Sequence, residues 1–273
     1  MRLLGIGDNT VDIYVDKGLE FPGGNAVNVA VFSKRLGWDA SYLGCVGNDD
    51  RARLLVDSLE AEGVDVSRVR RLSEPNSWSR IRHNGNDRVF DGSHRITRTE
   101  YNLAADDFDF IARHDHCHSS VYSGLEDALP KIGKSAKCFS FDFSDQFSDT
   151  YIALVAPHID IGFLSGAQLS LDECRRLASL FDSLGCRTTV ITRGPEGAVG
   201  FRNGQATFSQ PTPGRVVDTL GAGDGFIAGF LVARHSGSGF QEGLNSGSRN
   251  AAKACSEQGA FGYATQSTLK QLR

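Results

Sequence analysis

The stretch VVDTLGAGDGFIAGFL (Val216 to Leu231) sets an Asp-Thr pair, three glycines in five positions and one carboxylate, Asp224, ahead of an apolar run of helical period. Glycines let backbone N–H groups crowd together, and a helix starting directly behind them adds the positive end of its dipole. The free N–H groups of Ala222, Gly223 and Asp224, just past Gly221, would then make an anion hole suited to phosphate. At its lip, Asp224 could accept the proton of a substrate hydroxyl while the hole steadies the charge on a transferring phosphoryl group. That is the division of labour phosphoryl transfer requires. The same acid could instead cap the helix, and on the loop alone both readings stand.

Other stretches with chemical potential are weaker. GIGDN near the N-terminus begins like a dinucleotide fingerprint but lacks the third glycine. ALPKIGKS (Ala128 to Ser135) ends like a phosphate-binding P-loop, yet Ala128 stands where the first glycine belongs and no strand runs into it; Gly133-Lys134 reads better as a helix end. In HDHCH, His114, His116 and His118 alternate and would share one face of a strand, with Cys117 on the other. No second cluster completes a zinc set, so the segment reads as a strand end with surface histidines. The six cysteines are scattered without a CxxC pair, as expected of reduced and mostly buried thiols.

The elements that must position Asp224 alternate along the chain. RLLGIGD is a first strand, and NAVNVAVFSKRLG a helix stopped by Gly37. SYLGCVG is a strand, DDRARLLVDSLEAEG a helix with acids in its first turn, and SVYSG, KCFSFDF, IDIGFL and RTTVITRG are later strands. SLDECRRLASLFDSLG opens with a capping box, Ser170 and Glu173, and closes at Gly185. Such alternation predicts right-handed crossovers and a mainly parallel sheet covered by helices on both faces. From about Val66 to Arg98 the alternation breaks into short, polar, turn-rich segments with an Asn84-Gly85 hairpin signal, read as a small projecting β element.

Length and composition fit this picture. The 273 residues suit one large α/β domain able to bury a sizeable core, and a formal charge of −4 offers no basic face for nucleic acid. No run of about 18 apolar residues appears, and Met1 to Leu4 leads straight into strand-like sequence, so a cytoplasmic protein without a membrane span is expected.

DTLGAGD (Asp218 to Asp224) together with PGGNAVNVA (Pro22 to Ala30) resembles the paired signatures of the ribokinase-like (PfkB) carbohydrate kinases, in the right order and separation. Matching landmarks run from the first strand to Gly259. GDNTVDIY, GGNAVNVAVF, NDRVF, EDALP and FDFSD further resemble the fructosamine branch, whose members phosphorylate sugars such as fructoselysine at the 6-hydroxyl. The resemblance implies a single domain over 1–273, α/β and doubly wound, with a β lid at about 66–98 and part of 13–22, and a homodimer made through that lid. It implies ATP and Mg²⁺ as cofactors, with K⁺ in many relatives.

Carried over by position, the resemblance makes Asp224 the general base and Gly221, Ala222 and Gly223 the anion hole. Asp12, Gly24, Asn25, Asn28 and Glu126 fall on the sugar side, where carboxylates and amides suit hydroxyl recognition. Thr192, Gly194 and Gly197 match the nucleotide loop, and Asn250 falls where the C-terminal helix borders adenine. Asp218, Leu220 and Gly259 match a monovalent-cation site. Many members carry Asn-x-x-Glu where this chain reads Ser165-Gly166-Ala167-Gln168, so Gln168 would orient an Mg²⁺ water without supplying charge. Asp87 and Arg88, in the hairpin, could meet the amino-acid part of such a substrate, with Asp142 a weaker candidate. A plain sugar, glucoselysine or fructose-asparagine kinase remains open, as does a non-catalytic sensor of the same fold.

Overall fold

The computed structural model describes residues 1–84, 87–96 and 102–267; the side chains of residues 83, 84, 87 and 88 lie outside that description. In chain order the elements are β1 (Arg2–Gly7), β2 (Thr10–Tyr14), β3 (Leu19–Gly23), α1 (Asn25–Arg35), β4 (Asp39–Val46), α2 (Asp50–Ala61), β5 (Asp65–Arg71), β6 (Trp78–Asn84) and β7 (Asp87–His94). There follow α3 (Ala105–Ala112), β8 (His116–Ser120), α4 (Leu129–Ser135), β9 (Phe139–Asp142), α5 (Asp149–Val155), β10 (Ile161–Ser165), α6 (Leu171–Ser183) and β11 (Thr188–Thr192). The chain closes with β12 (Ala198–Arg202), β13 (Gln205–Ser209), α7 (Ala222–His235), α8 (Phe240–Ala254) and β14 (Thr265–Gln266).

Nine strands form one sheet in the order β13-β12-β11-β10-β9-β8-β1-β4-β5. All neighbours from β11 to β5 run parallel, and the β12–β13 hairpin adds an antiparallel edge. Period-two alternation along the strands feeds two cores. Leu3, Tyr42, Phe163 and Val190 point to the face covered by α1, α2, α7 and α8, while Leu4, Leu43, Leu164 and Ile191 point to the face covered by α3 to α6.

Local signals set the helix ends. Asp49 caps α2 by accepting from the Ala52 N–H at 3.0 Å. In α6 the Ser170 hydroxyl accepts from the Glu173 N–H at 3.2 Å, and the Glu173 carboxylate accepts from the Ser170 N–H at 2.8 Å, which closes the capping box.

A second sheet, in the order β14-β3-β2-β6-β7, stands beside the first. It is antiparallel except between β2 and β6, and Tyr14, Phe21 and Ile81 form its small core. The projecting element is thus built differently from the sequence reading. Asp65–Arg71 is no part of it: β5 pairs in parallel with β4 as an edge strand of the large sheet, its polar alternation reflecting that edge position. Two further expectations are corrected. Val121–Ser123, expected as strand, is a single 3₁₀ turn after β8. His116 and His118 are both at 0% exposure because β8 lies inside the sheet, and His114, two residues before it, is buried at 3% between the Phe110 carbonyl and the Ser41 hydroxyl.

Candidate active site

β1 and β8 are neighbours, and the chain leaves their carboxyl ends in opposite directions, towards β4 on one side and β9 on the other. Divergence of this kind opens a crevice in a parallel sheet, and ligands bind there. The residue that follows β1 is Asp8. Its carboxylate accepts from the backbone N–H groups of Asn25 (2.7 Å) and Ala26 (3.3 Å) at the start of α1, and from the hydroxyls of Ser120 (2.8 Å), the last residue of β8, and Ser123 (3.0 Å), just after it. One acid therefore pins α1 to both strands of the crevice. The chain reaches α1 through Gly24, whose φ of +112° favours glycine and where a Cβ would come within 2.5 Å of the Asn9 Cα.

So anchored, α1 presents Asn25 and Asn28 to Asp224 in the first turn of α7. The Asn25 Nδ2 donates to Asp224 at 2.7 Å and to Asp142, the last residue of β9, at 2.8 Å. The Asn28 Nδ2 donates to the other Asp224 oxygen at 2.6 Å, while its Oδ1 is buried with no partner among the described residues. Burial pushes the Asp224 carboxyl up to about 6; the Asp8 charge works the same way, and the Asn28 and Asn25 donors oppose both. Asp142 is pushed up to about 7, chiefly by burial and further by the charges of Asp224 and Asp8. A carboxylate held near 6 in a crevice is poised to take a proton at neutral pH.

Gly221 precedes α7 with φ +76°, and a Cβ there would meet the Ala260 Cβ at 2.8 Å. The first intrahelical bond runs from the Gly225 N–H to the Gly221 carbonyl, and no side chain caps the helix. The Ala222 N–H makes a long bond of 3.3 Å to Thr219, and Ala222 and Gly223 open onto a cavity of about 610 Å³. Thr192, Gly194 and Gly197, at the end of β11 and in the turn behind it, line the same cavity, as do Gln168 and Asp145. A helix end suited to an anion and a large cleft thus meet beside a carboxylate of raised basicity.

Asn250 stands elsewhere. Its amide bonds back to the Ser246 carbonyl at 2.8 Å, and it packs against Gly229 of α7. The α8 residues on the cavity are Ser248, Ala251, Ala252 and Cys255, the i, i+3, i+4, i+7 stripe from which position 250 is turned away.

Asp218, Leu220 and Gly259 do meet, but through donors. The Asp218 carboxylate accepts from the N–H groups of Leu220 (3.0 Å) and Gly259 (3.1 Å) and from the Tyr14 hydroxyl. These bonds tie the α7 loop to β2.

Asp12 is buried on β2 in the smaller sheet, opposite Phe21 of β3. Glu126 follows β8 and accepts from the Tyr151 hydroxyl at 2.8 Å, so it is held against α5. Asp87 and Arg88 start β7, and their side chains lie outside the described residues.

Sequence reasoning missed Asp8 as the anchor and Asp145 on the cavity wall. The available signal for Asp8 was an acid directly after the first strand, at the carboxyl edge of a parallel sheet.

The fold and this site define a sugar phosphotransferase: the chain belongs to the pfkB family of carbohydrate kinases, whose family model matches residues 5–265. It is 40% identical over 268 residues to the fructosamine kinase FrlD of Bacillus subtilis (strain 168), covering 96% of this chain and 94% of that protein. It is 35% identical over 257 residues to the fructoselysine 6-kinase of Escherichia coli (strain K12), covering 94% of this chain and 98% of that protein. Among solved structures, the ribokinase of Arabidopsis thaliana complexed with ribose and ATP superimposes with a TM-score of 0.81 at 19% identity, over 95% of this chain and 94% of that one. The aminoimidazole riboside kinase of Salmonella enterica gives 0.74 at 22% identity, over 96% and 95%. The fold is ribokinase-like.

Proposed function

We propose that the protein transfers the γ-phosphoryl group of ATP to the 6-hydroxyl of a fructosamine such as fructoselysine. The observation that carries the chemistry is Asp224, gripped by two asparagine amides with its carboxyl raised to about 6, beside helix-end amides that open onto a large cavity. The relatives named for fructosamine and fructoselysine, at 40% and 35% identity, support the choice of acceptor.

In this reading Asp224 takes the hydroxyl proton as the sugar oxygen attacks the γ-phosphorus and the bond to the ADP oxygen breaks. The N–H groups of Ala222 and Gly223 receive the developing phosphoryl charge, and Gly221 allows the turn that aims them. Asn25 and Asn28 keep Asp224 turned towards the acceptor. Asp12 holds further sugar hydroxyls, and Glu126 borders the same end. Thr192, Gly194 and Gly197 receive the nucleotide, and the small side chains of Ala251 and Ala252 leave room for adenine. Mg²⁺ on the nucleotide would neutralise phosphate charge; Gln168 can hold one of its waters and Asp145, on the same wall, brings the carboxylate that Gln168 lacks.

The smaller sheet acts as a lid over 10–23 and 78–94 that excludes water during transfer. At its hairpin tip, Asp87 suits the substrate's secondary amine and Arg88 its α-carboxylate. Val89 and Phe90, 49% and 65% exposed on β7, favour a homodimer through the lid. A cytoplasmic location fits a consumer of ATP with six free thiols, and among the described residues no helix is long and apolar enough to cross a membrane.

Release of ADP from Mg·ATP with fructoselysine, fructose, ribose and fructose-asparagine side by side tests the reading. Fastest turnover on fructoselysine, lost in Asp224→Asn, is expected; preference for another sugar would overturn the acceptor, and full activity in the variant would overturn the base.

A further inference from the structure

Asp224 is supported from inside the protein as well as from the cavity. The Asn25 amide that donates to Asp224 and Asp142 receives at its Oδ1 the His118 Nε2, 2.9 Å away. The His118 Nδ1 lies 2.7 Å from the Ser140 Oγ, and that hydroxyl lies 2.8 Å from the His116 Nε2. The His116 Nδ1 in turn lies 2.8 Å from the Nε2 of His235, the last residue of α7. His116, His118 and Ser140 are fully buried, and His235 is half-buried with its ring edge-on to Trp38. The line therefore leaves the C-terminal end of α7, passes through the adjacent strands β8 and β9 and α1, and returns to Asp224 in the first turn of the same helix, about 16 Å away at 1.5 Å per residue.

Only one set of protons satisfies every bond. Asn25 donates twice from Nδ2, so its Oδ1 must accept and the His118 Nε2 must carry a hydrogen. A buried neutral imidazole has one N–H, which makes the His118 Nδ1 an acceptor and the Ser140 hydroxyl its donor. The Ser140 oxygen then accepts from the His116 Nε2–H, and the His116 Nδ1 accepts from the His235 Nε2–H. Burial holds His118 down to about 3 and His116 well below the usual imidazole range, so both rings are neutral at pH 7. Among the described residues the charges of Asp145 and Asp8 also bear on Asp142, and that of Asp8 on Asp224.

We propose that His118, Ser140, His116 and His235 form a polarised hydrogen-bond line that fixes the Asn25 amide and thereby the aim of Asp224. Without it the amide is free to rotate and turn its oxygen towards two carboxylates, which leaves Asp224 with one donor in place of two. The four are positioning residues, since none touches the reacting atoms, and the proposal rests on the reading of Asp224 as base.

Two variants and one spectroscopic measurement test it. His118→Leu removes the donor to Asn25, and Ser140→Ala breaks the line with the loss of a single oxygen. Each should lower kcat by about tenfold to a hundredfold with the KM for ATP unchanged, the size expected when a reacting group loses its aim. His118→Gln keeps a donor at the Nε2 position and should restore most of the loss, which a merely space-filling role would not require. Nitrogen-15 imidazole shifts at pH 7 should show His116, His118 and His235 all as neutral Nε2–H tautomers. Wild-type kcat in both His118→Leu and Ser140→Ala, or an Nδ1–H tautomer at His116 or His118, would overturn the line. So would one bound zinc per purified chain, because His116, His235 and Cys138 offer ligand atoms within 4.8 Å of one another and coordination would replace the His–His bond. An active Asp224→Asn enzyme with the same tautomers would instead remove the base and leave the line in place.

Discussion

Asn25 and Asp224 stand 199 residues apart in the chain, yet the Asn25 amide donates to the Asp224 carboxylate at 2.7 Å. The bond joins the first turn of α1 to the first turn of α7, and each helix was brought there by its own device. For α1 the device is Asp8, which holds the helix start; for α7 it is the left-handed turn at Gly221.

If Asp224 is the base, Asp224→Asn should lower kcat by about 10²- to 10⁴-fold, the usual worth of general-base catalysis, with the KM for ATP within error of wild type. Steady-state rates at saturating sugar check this. An unchanged kcat would overturn Asp224 as the base.

The rate should fall below about pH 6, where the Asp224 carboxyl picks up its proton. Asn28 donates to the charged form, so Asn28→Ala removes a force that lowers the pKa, and the acid limb of kcat should move to higher pH. A limb that stays in place or moves down would contradict the assignment of Asp224 as the group that titrates.

Gly221→Ala should destabilise the protein by about 1–3 kcal/mol, because an alanine there adopts φ +76° with its Cβ 2.8 Å from that of Ala260. Denaturant unfolding measures the loss. Gly204→Ala is the control: its φ is also positive, at +74°, but a Cβ meets nothing within 4 Å, so the difference between the two isolates the contact.

A large side chain on the α8 stripe should exclude the nucleotide. Ala252→Phe is expected to raise the KM for ATP by about tenfold or more by filling the cavity, with the KM for the sugar unchanged. Asn250→Ala, on the α7 side of the same helix, should act on thermal stability and leave the KM for ATP where it is. Equal effects of both on ATP would dispose of the helical-face argument.

Acid should destabilise the fold through the buried imidazoles. His118 binds its proton at about 3 in the folded protein and near 6.5 unfolded, so its contribution is complete above pH 6.5 and is lost as the pH falls from there towards 3. Asp142, raised to about 7, acts with the opposite sign: its contribution is present below the unfolded value near 3.8 and is lost as the pH rises through about 7. Melting temperatures from pH 7 to 4 should drop less in His118→Gln than in wild type, and an identical drop would show that His118 stays charged when buried.

Local signals carried most of the fold. Period-two strands, helix caps at Asp49 and Ser170, and the glycines behind the helices are written in stretches of a dozen residues or fewer, and each forms the element its chemistry favours. The glycine loop was equally legible, because a left-handed turn, an exposed row of amides and an acid lie within seven consecutive positions, Asp218 to Asp224.

Pairing was not legible. Asp65–Arg71 alternates like a strand of the small sheet, and only its partner β4 assigns it to the large one. The histidines of HDHCH look like surface residues until β8 is placed between β1 and β9 with helices on both faces, where their ring nitrogens find partners in five other segments. Asn250 and Ala252 are two residues apart, and which of them meets the cavity depends on the rotation of α8 against α7. The sequence by itself thus determined the class of fold and the loop proposed to carry the chemistry, since both depend on short-range backbone preferences. Tertiary structure alone decided which distant side chains hold Asp224 in place, because a hydrogen bond acts over about 3 Å of space and is indifferent to separation along the chain.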